Sequence, residues 1–269
     1  PEVPGSPLAA YHAFSVGRTR FVMVDARSEG LPGDSIMSEE QMEWLLGEIA
    51  NPGLHKLLVL MLGQPWIGAE DAGGDGWLGH VADRQRIANA IASSRTAGGY
   101  VNVLGLAGDA HMLAFDDGTN TDYSTSGLAG FPLLQAGPLD RSGSAKGGPY
   151  TTECLAYKLA HNHQFGSLEI TDSGGSNASA ICVRFKMHRS GGGVLGEEYM
   201  CGPLLGSRST ASTPCSIPLM PPLQMALFVL VLLSLALLCL LALWWQLRGT
   251  GGQRRLGWLA LAAAAGSLL

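Results

Sequence analysis

Short apolar runs alternate with segments whose apolar positions fall three and four residues apart, and this alternation predicts strands and helices in turn. An apolar strand is expected over 20–25, ending in Asp25-x-Arg27. Ser38-Glu39-Glu40-Gln41 then has the form of a capping box, with Ser38 as the cap and Gln41 reaching back. The helix it opens buries Met42, Leu45, Leu46 and Ile49 and is stopped by Asn51-Pro52-Gly53. A fully apolar strand follows over 57–62, then a loop with Pro65 and Trp66. A second helix is expected over 82–94 with Ile87 and Ile91 inward, and a third strand over 100–107. Strand, helix, strand, helix, strand is the pattern of parallel β-α-β units, so the fold class is α/β. Shorter β runs are expected over 131–136, 165–170 and 180–188.

The pattern changes near the end of the chain. From Met225 to Trp245 there is an uncharged run of 21 residues. About 20 such residues cross a bilayer as a helix. A buried core helix would be shorter and would carry a polar face. The Trp244-Trp245 pair suits the interface, and Arg248 to Arg255 suit the cytoplasmic side, which leaves the preceding domain extracytoplasmic or lumenal on a single-pass anchor. Residues 207–222, rich in Ser, Thr and Pro, form a stalk. The division expected is therefore a domain over 1–206, the stalk over 207–222, a transmembrane helix over 223–247, and a short basic segment with an apolar tail over 248–269. The stretch from Leu256 to Leu269 is short for a span; it is either interfacial or the beginning of a second one. The opening Pro1-Glu2-Val3-Pro4-Gly5 has neither the basic nor the apolar region of a signal peptide.

Composition narrows the partners. At 269 residues and 46% hydrophobic, the chain can bury a sizeable core. Three of the 17 basic residues (Arg248, Arg254, Arg255) and none of the 22 acidic ones fall beyond the apolar run's start, so the rest carries a net charge of −8. That argues against a nucleic-acid partner, which wants basic surface, and suits a domain that binds cations. Cys154, Cys182, Cys201 and Cys215 precede the apolar run, and Cys239 lies in it. Four thiols allow three pairings in an oxidising compartment, and four free thiols fit the spacing as well. Asn177-Ala178-Ser179 is a short glycosylation sequon.

The candidate chemistry gathers where strands should end. Gly108-Asp109-Ala110-His111 follows the third strand. In an extended segment the side chains at i and i+2 point one way, so Asp109 and His111 would offer a carboxylate and an imidazole to one metal ion. The plainer alternative is an Asp-x-His turn with Asp109 capping backbone amides. Open α/β sheets place ligands beyond the carboxyl ends of their strands, and Asp25, Trp66 and Asp109 each sit just past such an end. Asp25 can orient a ligand and Arg27 can hold a phosphate bidentately; an internal Asp25–Arg27 pairing is the alternative. Trp66 and Trp77 either wall a substrate cleft or pack in the core. Asp75 sits in a Gly-rich loop and suits a turn. Arg141 and Lys146 can attract an anionic substrate. His161-x-His163 has the spacing of metal ligands but lies in an ordinary loop. No Gly-x-Ser-x-Gly elbow and no phosphate-cradling P-loop is present.

Many short motifs occur in one order: Tyr11-His12-Ala13-Phe14, Val24-Asp25-Ala26-Arg27, Pro65-Trp66-Ile67, Asp75-Gly76-Trp77, Gly108-Asp109-Ala110-His111, Phe115-Asp116-Asp117-Gly118 and Pro138-Leu139-Asp140-Arg141. As an ordered set, from about Tyr11 to about Asp172, they resemble the carboxy-terminal half of the PhoD-like alkaline phosphatases, a branch of the metallophosphoesterases. The resemblance implies a metallophosphoesterase-like sandwich of two mixed β-sheets flanked by helices, present in part. It implies metal-assisted hydrolysis of a phosphoester substrate, with iron and calcium as the metal ions and Asp109 and His111 among their ligands. It also implies that the family's other ligands lie in an amino-terminal half not contained in this chain, so that the chain alone turns over little substrate. The alternative is a non-catalytic, membrane-tethered relative that binds a ligand or partner.

Overall fold

The computed structural model describes residues 10–28, 35–71, 74, 76–141, 146–153, 163–174, 180–203 and 222–248. Two separate units are present, Pro1–Ile217 and Pro218–Leu269. The first is a mixed α/β unit with two sheets. Its elements are β1 (His12–Val16), β2 (Thr19–Met23), α1 (Glu39–Ala50), β3 (Leu57–Met61), α2 (Val81–Thr96), β4 (Asn102–Ala107), β5 (Ala114–Asp116), β6 (Leu133–Gln135), β7 (Thr152–Glu153), β8 (Phe165–Asp172), β9 (Ile181–His188) and β10 (Val194–Cys201). The larger sheet runs β1-β2-β3-β4-β6-β5-β7 and the smaller β10-β9-β8. Strands β2, β3, β4 and β6 are mutually parallel, while β1, β5 and β7 pair antiparallel. The smaller sheet is antiparallel throughout, so one sheet is mixed and not two.

Side-chain alternation explains the layers. On β3, Leu58 and Leu60 face the helices and share a core with Met42, Leu45 and Ile49 of α1 and Ile87 and Ile91 of α2. The intervening Leu57 and Val59 face the other way and pack with Ile181, Val183 and Phe185 of β9. A strand buried on both faces reads as an unbroken apolar run, which is why 57–62 is fully apolar. Each such side chain contributes roughly 1.5–3 kcal/mol. The order is therefore helices, large sheet, small sheet.

Local chemistry sets the ends. Ser38 caps α1 by accepting from the Gln41 amide, 3.2 Å away. The Gln41 side chain, in contrast, is committed to the main chain of Asp25. Strand β2 stops at Met23, two residues before the expected end, because Asp25 folds the chain into a turn. β4 starts at Asn102, not Tyr100: the Ser94 hydroxyl accepts from the Tyr100 amide and holds that segment to the end of α2. Helix α2 runs a little beyond the expected 82–94 at both ends. The apolar pattern does not mark strands β1, β5, β7 and β10. In β10 a bulge between Val194 and Gly196 shifts the register, so that Glu198 is buried while Glu197 is half-exposed. Cys182 and Cys201, directly opposite each other on β9 and β10, form a disulfide. Cys154 and Cys215 lie outside the described residues, as do Asp75, His161, the 177–179 sequon, residues 207–221 of the stalk and residues 249–269; Pro222, the stalk's expected last residue, opens a helix.

The second unit contains helix α3 (Pro222–Arg248), 27 residues long. Of its side chains, residues 230–242 and 244 are described, and the large apolar ones among them are exposed. Among the described residues no helix is long and apolar enough to cross a membrane. The described side chains cover less than the about 20 residues a span requires, so the expected span from Met225 to Trp245 rests on the sequence.

Candidate functional site

The chain leaves the large sheet at the carboxyl ends of β2, β3 and β4, and the three exits meet around one cavity of about 250 Å³. Its lining includes Asp25 and Arg27 after β2, Gly63 and Gln64 after β3, and Asp109 after β4. This is the edge where open α/β sheets bind ligands.

Each exit is shaped by side chain to main chain bonds. Asp25 Oδ1 accepts from the amides of Arg27 (3.0 Å) and Ser28 (2.9 Å), and Oδ2 accepts from the Ser28 hydroxyl. Burial pushes the Asp25 carboxyl up, but the Ser28 hydroxyl and these two amides outweigh it and hold it below its usual range. Gln41, fully buried, clamps the same residue from the helix side: the Asp25 amide donates to Gln41 Oε1 at 2.8 Å and Gln41 Nε2 donates to the Asp25 carbonyl at 3.0 Å. Asp25 is thus a turn-former, and Arg27 reaches past it.

After β4 the chain does not stay extended. Asp109 has φ 58° and His111 φ 54°, the left-handed region that non-glycine residues occupy at a cost. Two bonds to the Gly108 carbonyl hold this turn, one from the Ala110 amide (2.7 Å) and one from Gln135 Nε2 (2.8 Å). The extended i, i+2 geometry expected to aim Asp109 and His111 at one point is therefore absent. Asp109 lines the cavity; His111, half-buried, is not part of its lining.

The Asp109 carboxylate faces two cations. Its Oδ2 lies 3.4 Å from Arg27 Nη2 and 3.3 Å from Lys146 Nζ. Lys146 enters on a loop docked against the exit of β3: the Gly148 amide donates to the Ile67 carbonyl at 2.9 Å, and the Tyr150 hydroxyl to the Lys146 carbonyl at 3.3 Å. Gly147, at φ 73°, has no room for a side chain against Ile67. Among the described residues no group of three His, Cys, Asp or Glu side chains stands where it could hold a metal ion. A carboxylate already flanked by two positive charges, and an imidazole outside the cavity lining, do not fit an ion site by themselves.

The remaining candidates separate. Trp66 and Trp77 are completely buried, 5.3 Å apart, with their indole N–H groups donating to the carbonyls of Thr121 (2.9 Å) and Leu62 (3.0 Å). They are core, and neither lines the cavity. Buried Arg84 braces that loop, donating to the carbonyls of Trp66 (2.9 Å) and Gly68 (3.2 Å) while its guanidinium lies 3.6 Å from the centre of the Tyr123 ring. Arg141 is exposed, and Asp75 lies outside the described residues. His163 is exposed on a left-handed turn. The sequence pattern marks neither Gln135 nor the clamping role of Gln41. Both act through backbone atoms distant in sequence, and no spacing rule marks such residues.

Fold and cavity define a helix–sheet–sheet α/β protein with a charged pocket at the carboxyl edge of its parallel strands. No protein-family model and no curated protein sequence matches the chain. Among solved structures the chain is similar to that of PhoD, with 16% identity and a TM-score of 0.46, over 80% of this chain and 46% of that one. The chain thus spans less than half the length of that structure.

Proposed function

We propose that this chain carries part of a PhoD-like phosphoester hydrolase anchored in a membrane by a single helix. The observation that carries the reading is the meeting of Arg27 and Asp109, which line a cavity on the carboxyl edge of β2, β3 and β4, with Lys146, which reaches Asp109 from beyond that lining. The ordered motifs of the sequence support it. Arg27 and Lys146 are suited to neutralise phosphate oxygens, Arg27 by its planar fork and Lys146 as a point charge. The reading assigns Asp109 and His111 to metal ions, iron and calcium by the family resemblance. The described residues do not fit such an ion, so no catalytic step is derived through one. The apolar run from Met225 to Trp245 supplies the anchor, with the enzyme extracytoplasmic or lumenal.

The test is turnover of p-nitrophenyl phosphate and its diester by the full chain in detergent, with iron and calcium added. The expected rate is low, because Asp109 and His111 are not aimed at one point and no third donor is grouped with them among the described residues. Asp109→Asn and His111→Asn should each remove most of it. A rate indifferent to both replacements refutes the hydrolase reading. A second reading, a non-catalytic tethered relative that binds a ligand, is favoured by one observation: Asp109 is engaged by Arg27 and Lys146, with no third metal donor grouped with it among the described residues.

A further inference from the structure

Around Asp109 the motif and the geometry assign different counter-ions. A carboxylate followed by a histidine suggests a metal ion, yet one oxygen of that carboxylate, Oδ2, lies 3.4 Å from Arg27 Nη2 and 3.3 Å from Lys146 Nζ. Two tethered monocations carry the same charge as one divalent ion. A dication entering there would meet both of them at close range, where repulsion is strong even with solvent screening.

The fold builds this arrangement at the backbone. Arg27 is set by its amide on Asp25 Oδ1. Lys146 is set by the docking of Gly148 on Ile67 and by the Tyr150 hydroxyl. Asp109 is set by Gln135, a fully buried side chain holding the turn from beneath. Three separate loops thus present one carboxylate and two cations to one spot. Both cationic side chains are about half-exposed, so a ligand can reach them.

We propose that Arg27 and Lys146, gathered at Asp109 on the rim of this pocket, take the place of a metal ion and bind a phosphate group directly, with Asp109 as the counter-ion that holds them in position. The proposal rests on the phosphoester reading of the cavity and departs from its metal clause. It reverses the expected sign of one substitution. Were Asp109 a metal ligand, removing its charge would weaken anion binding along with the ion. As a competing counter-ion, its removal takes one negative charge from beside the two cations and tightens anion binding.

The experiment is calorimetric titration of the full chain in detergent with phenyl phosphate, in resin-stripped, metal-free buffer and again with calcium or manganese added. Wild-type binding is expected without metal and unchanged by it. Asp109→Asn should bind several-fold more tightly. The double variant Arg27→Gln/Lys146→Gln should bind roughly tenfold or more weakly, the size of a lost charge-assisted hydrogen bond. Binding that requires added metal, weaker binding by Asp109→Asn with the parent's circular dichroism and melting temperature, or a double variant equal to wild type overturns the proposal. The metal and double-variant arms decide the matter should Asp109→Asn fail to fold. Absence of binding by every form at millimolar ligand defeats the phosphoester reading as well. Binding present only with metal defeats the tethered cations alone.

Discussion

At the residue scale, the side chains that matter most are those whose polar atoms are out of water. Tyr100 is 2% exposed, and its hydroxyl has no hydrogen-bond partner among the described residues. Burial, with Glu48 adding and Arg20 opposing, pushes its pKa from 10.0 up to about 12. The folded protein therefore keeps a proton that the unfolded chain releases. Stability from this group is complete below pH 10 and is lost as pH rises from there through about 12, by at most ~3 kcal/mol. Tyr100→Phe should remove that decline and cost nothing at neutral pH, since it deletes an unsatisfied hydroxyl. Urea midpoints of parent and variant at pH 8 and pH 11.5 check both statements. The sequence placed Asp25 and Asp109 on the right edge, because a polar residue after a buried strand marks its exit. It did not show the left-handed turn at Asp109 and His111, which depends on Gln135, a partner 27 residues from the carbonyl it holds. That turn also governs how the site is probed. Asparagine tolerates the left-handed region and alanine does not, so alanine at 109 would disturb backbone and charge together.

At the element scale, periodicity carried the parallel core. Strands β2, β3 and β4 and helices α1 and α2 were all legible, because each buries one face or both against a neighbour and the apolar spacing records it. Short antiparallel pieces were not. β5 has three residues and β7 two, too few for any period to register. β10 hides behind Glu197-Glu198, whose adjacent charges look like a solvated loop until the bulge is known. For the same reason none of the three cysteine pairings could be preferred: Cys182–Cys201 follows from the register of β9 with β10. That bond closes a loop with a sequence separation of 19. Its reduction should lower stability by about 3 kcal/mol. Urea unfolding with and without reductant, and of Cys182→Ser/Cys201→Ser, should agree in size; a shift below measurement error in both would show that the sheet pairs equally well without it. Arg18 and Asp172 add a second tie, joining the β1–β2 turn to the end of β8 and holding the Asp172 carboxyl down to about 2. This surface pair persists until the pH falls through that value.

At the scale of the whole molecule, the chain combines an α/β unit with a separate apolar helix, and the two make independent demands on solvent. Deleting residues 222–248 should move the protein from the carbonate-resistant membrane fraction to the supernatant, with the far-ultraviolet circular dichroism of the α/β unit preserved. Retention in the pellet after deletion would remove the anchor reading. The cavity has a consequence of its own. Two segments of its rim begin where β2 and β3 stop, and each sets rim residues directly beside core ones: Arg27 next to Ala26, and Gly63 next to Leu62. Exchange is for that reason natural at single exposed positions, Arg27, Ser28 and Lys146: a new specificity can be written into them while Val24, Leu62, Trp66 and Tyr150 keep the layers beneath in place, the division of labour that lets one scaffold host many ligands.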